Sequence, residues 1–371
     1  METTKKDLDQ LTAPGQLFAP GKDGAVQCLA CAHQCVIKPG KRGICKMRFN
    51  SDGQLFVPWG YVGGAQSDPI EKKPLAHFLP GSDALTFGML GCNMHCSFCQ
   101  NWLSSQTLRD PNANSRIQHI QQTNPEQIVA YARQSGAETI ASSYNEPLIT
   151  SEWAVEIFKL AHEEQLKTVF ISNGYATPAA LEYLHPHLDG YKVDLKTMQE
   201  AQYRQLGGTL APVLDTIQRA YDLGLWVEVV TLVIPDYNDS ISELWDMARF
   251  IVSVSPDIPW HVTAFHPDYR MNDRGRTPAD TLIKATEIGQ EAGLHYVYAG
   301  NLPGRVGSLE DTTCPQCQKA LIRRQGYQIY EYHLSADGSC PKCKTKIAGV
   351  WSDKPGDVRL GGSGMPRLAR W

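Results

Sequence analysis

The stretch Ala84-Leu-Thr-Phe-Gly-Met-Leu-Gly-Cys92-Asn-Met-His-Cys96-Ser-Phe-Cys99 decides the reading of this chain. Its first half is a short apolar run that suits a buried strand. Its second half sets three thiols at C-x3-C-x2-C spacing on one tight loop. Three thiolates in that pattern can ligate three irons of a cubane. The fourth iron is left without a protein ligand, and an open position is what chemistry at a metal needs. A zinc site of three cysteines and one histidine, with His95 as the nearest candidate, is the competing reading. Zinc knuckles, however, usually come as paired C-x2-C turns.

Working outward, the remaining cysteines also cluster. The chain has 11 cysteines. Cys28, Cys31, Cys35 and Cys45 form a front island, and Cys314, Cys317, Cys340 and Cys343 a rear one. Inert core thiols would scatter along strands, and an odd count in a reducing compartment argues for metal rather than disulfides. The rear island is two C-P-x-C knuckles joined by an alternating YQIYEYHL, which reads as a zinc ribbon or a rubredoxin-like iron site. So short a unit needs a metal staple, so its role is structural. The front island, C-x2-C-x3-C-x9-C with His33 as a fifth candidate ligand, suits zinc or an auxiliary 4Fe–4S cluster. Four thiolates leave no open position, which favours structural zinc; an electron-relay cluster is the alternative.

Between the islands, strand-like and helical segments alternate. Strands are expected at 84–90, 138–144, 167–172, 191–195, 225–234, 260–265 and 295–300. Helices are expected at 125–135, 151–165, 178–184, 242–253 and 278–292, the first capped by Asn124 with Pro125 at its first position. This rhythm implies right-handed βαβ units, a parallel sheet, and an α/β fold of the TIM-like (β/α) type, as a partial or full barrel. The expected organisation is a cysteine-rich metal domain over 1–78, with a loose lead-in over 1–27. The barrel follows over 79–305, the ribbon over 306–351 and a Gly-, Pro- and Arg-rich tail over 352–371. In such sheets function gathers at the strand C-termini. There the sequence puts Cys92, then Asn145 and Glu146, then Asn173, then Asp194 and Lys196, then the acids at 236–239, then His266.

A net charge of −4 gives no general attraction to nucleic acid. The chain has no apolar run long enough for a membrane span and no secretory leader in METTKKDLDQ, so a cytoplasmic location is expected.

The central motif, with Phe98 just before its last cysteine, matches the signature of the radical S-adenosylmethionine (SAM) superfamily. Tyr144-Asn-Glu146-Pro stands where that superfamily often has Gly-Gly-Glu-Pro, which holds the methionine ammonium. Ser172-Asn-Gly and Val193-Asp-Leu-Lys196 look like segments of the pyruvate formate-lyase-activating enzymes. There the matching Asp and Lys lie beside SAM, and His266 resembles a histidine at the same group. One departure concerns their bound monovalent cation: the acid preceding the matching Asn-Gly is Ile171 here. Together with CLACAHQC, GKRGIC, VIPDYND, FHPDY and YAGN, these motifs resemble the radical SAM protein of the AmmeMemoRadiSam system. The resemblance implies a 4Fe–4S cluster on Cys92, Cys96 and Cys99, SAM as cosubstrate, and an electron donor of flavodoxin or ferredoxin type. It also implies AMMECR-like and Memo-like partner proteins. The expected function is reductive cleavage of SAM to a 5′-deoxyadenosyl radical that abstracts hydrogen from a substrate the sequence does not name. The alternatives are a glycyl-radical activase acting on a partner protein and a non-catalytic metal-ribbon scaffold.

Overall fold

A nine-stranded sheet dominates this computed structural model, which describes residues 5–361 and 367–368. Strands β1 (Gly64–Pro69), β2 (Asp83–Gly88), β3 (Thr139–Ser142), β4 (Lys167–Ser172), β5 (Gly190–Asp194), β6 (Trp226–Val233), β7 (Trp260–Ala264) and β8 (Val297–Gly300) lie side by side in chain order. From β2 to β8 every pairing is parallel. β1 runs antiparallel to β2, with Gly64 opposite Gly88 and Pro69 opposite Asp83. Among the described residues β8 does not pair back to β1, so the barrel is partial.

The connecting helices include α1 (Pro125–Ser135), α2 (Ser151–Glu163), α3 (Pro178–Leu184), α4 (Glu200–Leu206), α5 (Ala211–Asp222), α6 (Ile241–Val254) and α7 (Ala279–Ala292). α1 begins as its sequence dictates. Asn124 Oδ1 accepts from Gln127 N at 2.9 Å, and Gln127 Oε1 accepts from Asn124 N at 3.1 Å, closing a capping box around Pro125. The strands read as continuous apolar runs because both faces are covered: β2, β3 and β7 are buried at every position.

Three departures from the sequence expectations concern the edges. The segment over 64–69, GAQSDP, for which the sequence shows no strand, is a strand of the main sheet. The lead-in over 1–27 is ordered from residue 5, with short strands at Thr12–Pro14, Phe18–Pro20 and Val26–Cys28. In the expected tail, Arg367–Leu368 pair antiparallel with Ser67 and Gln66 on β1; 362–366 and 369–371, like 1–4, lie outside the described residues. The rear island sits on a three-stranded antiparallel sheet containing Ala320–Gln325 and Gln328–Tyr332.

The front segment is fastened to the barrel by a buried ion pair. Arg48 donates from both terminal nitrogens to the Glu152 carboxylate on α2, each contact 2.7 Å. Glu152 Oε1 also accepts from the backbone N–H of Gln16 and of Leu17. Charge, hydrogen bonds and shape therefore agree on one docking geometry at the barrel rim.

Candidate functional site

The cysteine loop leaves the C-terminal end of β2 through a sharp turn at Gly91 (φ +89°). A Cβ there would lie 2.4 Å from Met47 Cγ, so only glycine fits both the backbone and the close approach. Gly91 N donates to Ser104 O at 2.8 Å, folding the short helix Trp102–Ser105 back over the loop. Within it, Met94 N points at Cys92 Sγ (3.4 Å) and Ser105 Oγ lies 3.2 Å from Cys99 Sγ. Burial raises all three thiol pKa values, that of Cys96 to about 11. Binding metal as thiolates would therefore release protons.

These three sulfurs are not arranged for one ion. Among the described residues, the rear quartet Cys314, Cys317, Cys340 and Cys343 is the one group of three or more candidate ligands whose ligand atoms all lie within 4.8 Å of one another. Its Cys314–Cys343 and Cys317–Cys340 sulfurs are 3.5 and 3.7 Å apart. Tetrahedral zinc with Zn–S bonds of about 2.3 Å sets its sulfurs about 3.8 Å apart. The rear quartet is thus sized for a single tetrahedral ion, and the central triad is not. His95 does not complete a one-ion site with the triad: it is exposed and lies against Gly207, where a Cβ would meet its Nδ1 at 2.3 Å. Three spread thiolates with N–H and O–H groups already aimed at sulfur fit a cubane with an open iron.

The strand-end residues singled out in the sequence surround this loop, but they do different work. Asn145 Oδ1 accepts from Met89 N at 2.9 Å, fixing the lead into the loop. Glu146 is buried and clamps two strand ends. Its Oε1 accepts from Ser172 Oγ (2.7 Å) and Leu148 N (3.1 Å), and its Oε2 from Asn173 N (2.8 Å). Burial outweighs these bonds and raises its pKa to about 7. Asn173 donates from Nδ2 to Asn93 Oδ1 at 2.7 Å, reaching into the cysteine loop itself. Glu146, Asn173 and Asn93 thus form a chain of hydrogen bonds ending one residue from Cys92.

Asp194 pairs with Lys192 and, at 3.2 Å, with Lys196. Burial alone would raise its pKa, but the two ammonium groups prevail and hold it at about 2. Burial likewise works against the Lys196 charge, and Asp194 together with the Cys96 sulfur raises its pKa instead. His266 stands at the loop's outer side, with Nε2 at 3.1 Å from the Gln100 amide nitrogen. From the same β7 loop, Arg270 N donates to Ser97 O (2.9 Å) and Tyr269 stacks on Trp102 at 5.0 Å. A cavity of about 290 Å³ opens beside the loop, between Gly63, Gly88, Met89, Gln100, Asn101 and Tyr144.

Sequence reasoning missed Asn93, Ser105, Lys192 and Arg109. Arg109 donates to Met94 O and to Ile44 O, both at 2.6 Å, stapling the central loop to the front one. Nothing in residue type or spacing marks these positions; Asn93 and Ser105 are ordinary polar residues until the fold buries them.

The comparisons with known proteins follow this geometry. A family model described as the radical SAM superfamily matches residues 87–251, from the end of β2 into α6. An uncharacterised protein of Methanocaldococcus jannaschii is 37% identical over 88% of this chain and 96% of its own. The pyruvate formate-lyase-activating enzyme of Clostridium pasteurianum is 22% identical over 52% of this chain and 84% of its own. GTP 3′,8-cyclase of Aquifex aeolicus is 24% identical over 72% of this chain and 81% of its own.

Proposed function

We infer that this chain, which belongs to the radical SAM superfamily and is an enzyme, reductively cleaves SAM at a site built on Cys92, Cys96 and Cys99. The observation that carries the reading is the spread of three thiols, Cys96 buried and Cys92 and Cys99 half-buried, on the loop after β2. When bound, a 4Fe–4S cluster with SAM on its open iron supplies one-electron cleavage of the sulfonium to a 5′-deoxyadenosyl radical. The chain's own residues hold and shield that chemistry. Ser105 and the Met94 amide donate toward cysteine sulfur, and Asn145 and Asn173 fix the loop on either side of Cys92. Lys196, kept cationic by Asp194, is suited to the methionine carboxylate. Glu146 Oε2, with Asn173 N as its one protein donor, keeps a lone pair for the ammonium. Asn145, Asn173 and Glu146 act mainly by positioning. His266, with Gln100, borders the outer side, and the lidding contacts of Tyr269 and Arg270 exclude water from a reactive radical.

The test is anaerobic reconstitution with iron, sulfide and reductant. Conversion of SAM to equimolar methionine and 5′-deoxyadenosine supports the inference; iron-loaded protein that never forms 5′-deoxyadenosine overturns it. A glycyl-radical activase is favoured by the similarity to the clostridial activating enzyme. It would leave a persistent radical on a partner polypeptide, visible by electron paramagnetic resonance.

The finer assignments are part of the same proposal. The rear quartet holds zinc, supported by its one-ion size. The unit limits proposed from the sequence are 78/79, 305/306 and 351/352, with β1 (Gly64–Pro69) crossing from the front unit into the barrel sheet. The reductant is of flavodoxin or ferredoxin type. AMMECR-like and Memo-like proteins are partners, on the strength of the AmmeMemoRadiSam-like motifs. A cytoplasmic setting accords with 11 unpaired cysteines. No helix among the described residues is long and apolar enough to cross a membrane.

A further inference from the structure

We propose that Cys28, Cys31, Cys35 and Cys45 hold a second 4Fe–4S cluster, not zinc, and that it passes electrons to the central site through Asn93. The relay role rests on the proposed function of the central triad; the identity of the metal does not.

Sulfur spacing separates the front quartet from the rear one. No three of these four sulfurs lie within 4.8 Å of one another, whereas all four of the rear quartet do. One fold thus contains a quartet drawn tight enough for a single ion and another held apart like the central triad. A cubane sets each thiolate on its own iron and needs that wider cage.

A buried, orphaned donor faces the same cysteine island. Arg48 is 1% exposed, yet its Nε has no hydrogen-bond acceptor in the protein. Buried donors without partners are rare and costly. Arg48 is the charged neighbour of Cys28 and Cys45. Asn93 lies close enough to Cys31 for its amide to oppose the rise that burial imposes on that thiol. Cluster sulfides would offer Arg48 acceptors additional to the cysteine sulfurs, which alone leave its Nε unpaired.

The front island also stands where a relay would be needed. His33 Nε2 meets Asn93 O at 3.0 Å, and Ala32 N donates to Tyr175 O at 3.0 Å, so the front island lies directly on the central loop. Asn93 touches Cys31 on one side and is bonded to Cys92 on the other. On the outer side the island reaches solvent. Cys35 is partly exposed, Val36 and Ile44 are 69% and 47% exposed, and Lys38, Lys41 and Lys46 are exposed around them. A cationic rim around an apolar spot fits an acidic one-electron carrier. The step balances as a relay. The carrier is oxidised by one electron, the front site is reduced and then reoxidised, the central site gains the electron, and no bond or proton changes.

The test uses the full chain with the central triad removed (Cys92→Ala, Cys96→Ala, Cys99→Ala), reconstituted anaerobically. About four irons and four sulfides should remain, with a reduced-cluster signal in electron paramagnetic resonance. Zinc in place of that iron overturns the proposal, whatever the central triad does. With the triad intact, Cys28→Ser/Cys31→Ser should halve the iron and leave the zinc content unchanged; an unchanged iron content overturns it. Lys38→Glu/Lys41→Glu/Lys46→Glu should slow reduction by reduced flavodoxin roughly tenfold at low salt. An unchanged rate overturns electron entry at this face.

Discussion

Glu152→Gln is expected to destabilise the protein by about 3–5 kcal/mol, the range for removing one partner of a buried ion pair. The side chains of Arg48 and Glu152 are only 1% and 2% exposed. Burial raises the Glu152 pKa, but Arg48 outweighs it and holds the carboxyl below its ordinary value. Glutamine keeps the shape and one acceptor for the Gln16 and Leu17 amides, but it removes the charge and turns an N–H donor toward Arg48 Nη1 in place of Oε2. Arg48 would remain buried with the Ile149 carbonyl, at 3.2 Å, as its acceptor on α2's approach. Because the pair joins the front segment to the barrel, the loss should appear as earlier release of that segment. Urea unfolding of the holoprotein under anaerobic conditions measures it as a lower midpoint. Arg48→Met/Glu152→Gln should recover much of the loss, since no buried charge remains and glutamine still accepts from the Gln16 and Leu17 amides. A single-variant loss below about 1 kcal/mol, the range of exposed pairs, would refute the reasoning. So would a double variant as damaged as the single one.

Three further expectations follow from the site. Asn173→Ala removes the 2.7 Å bond to Asn93, and 5′-deoxyadenosine formation should fall roughly 10–100-fold with faster iron loss to a chelator; wild-type values in both would discard the supporting chain. Asp194 has a folded pKa of about 2 against an ordinary 3.8, so its contribution is complete above pH 4 and is lost as pH falls toward 2. Its side chain is 32% exposed, so solvent screening limits the cost of Asp194→Asn to about 1–2 kcal/mol at neutral pH. Urea midpoints of the two proteins should converge on acidification; a gap that stays constant to pH 2 contradicts the assignment. Cys340→Ser should remove one zinc per chain and leave the iron untouched, whereas loss of iron would mean a rubredoxin-like rear site.

The fold was legible where local signals agree. Asn124-Pro125 opens α1 as its cap chemistry requires, and the β-branched run at 225–234 contains β6. β1 was illegible because Gly64-Ala-Gln-Ser-Asp-Pro has no apolar alternation; its burial comes from neighbours across the sheet. α4 and α5 went unseen between the expected strands. At the site, residue type and strand-end position brought the right residues to the cysteine loop but not their orientation. Asn145 turns to Met89 N and Asn173 to Asn93, choices made by loop geometry that no spacing rule encodes. The size difference between the front and rear quartets is likewise a property of the folded loops, since both sequences show only four cysteines in a short span.

The open iron is the centre of the proposal, and Mössbauer spectroscopy of 57Fe-loaded protein with and without SAM observes it directly. Saturating SAM should change the parameters of a single iron of the cluster on Cys92, Cys96 and Cys99, and Cys96→Ala should abolish that change. A spectrum identical with and without SAM, in protein with full iron occupancy, would contradict an open, SAM-binding site on this loop.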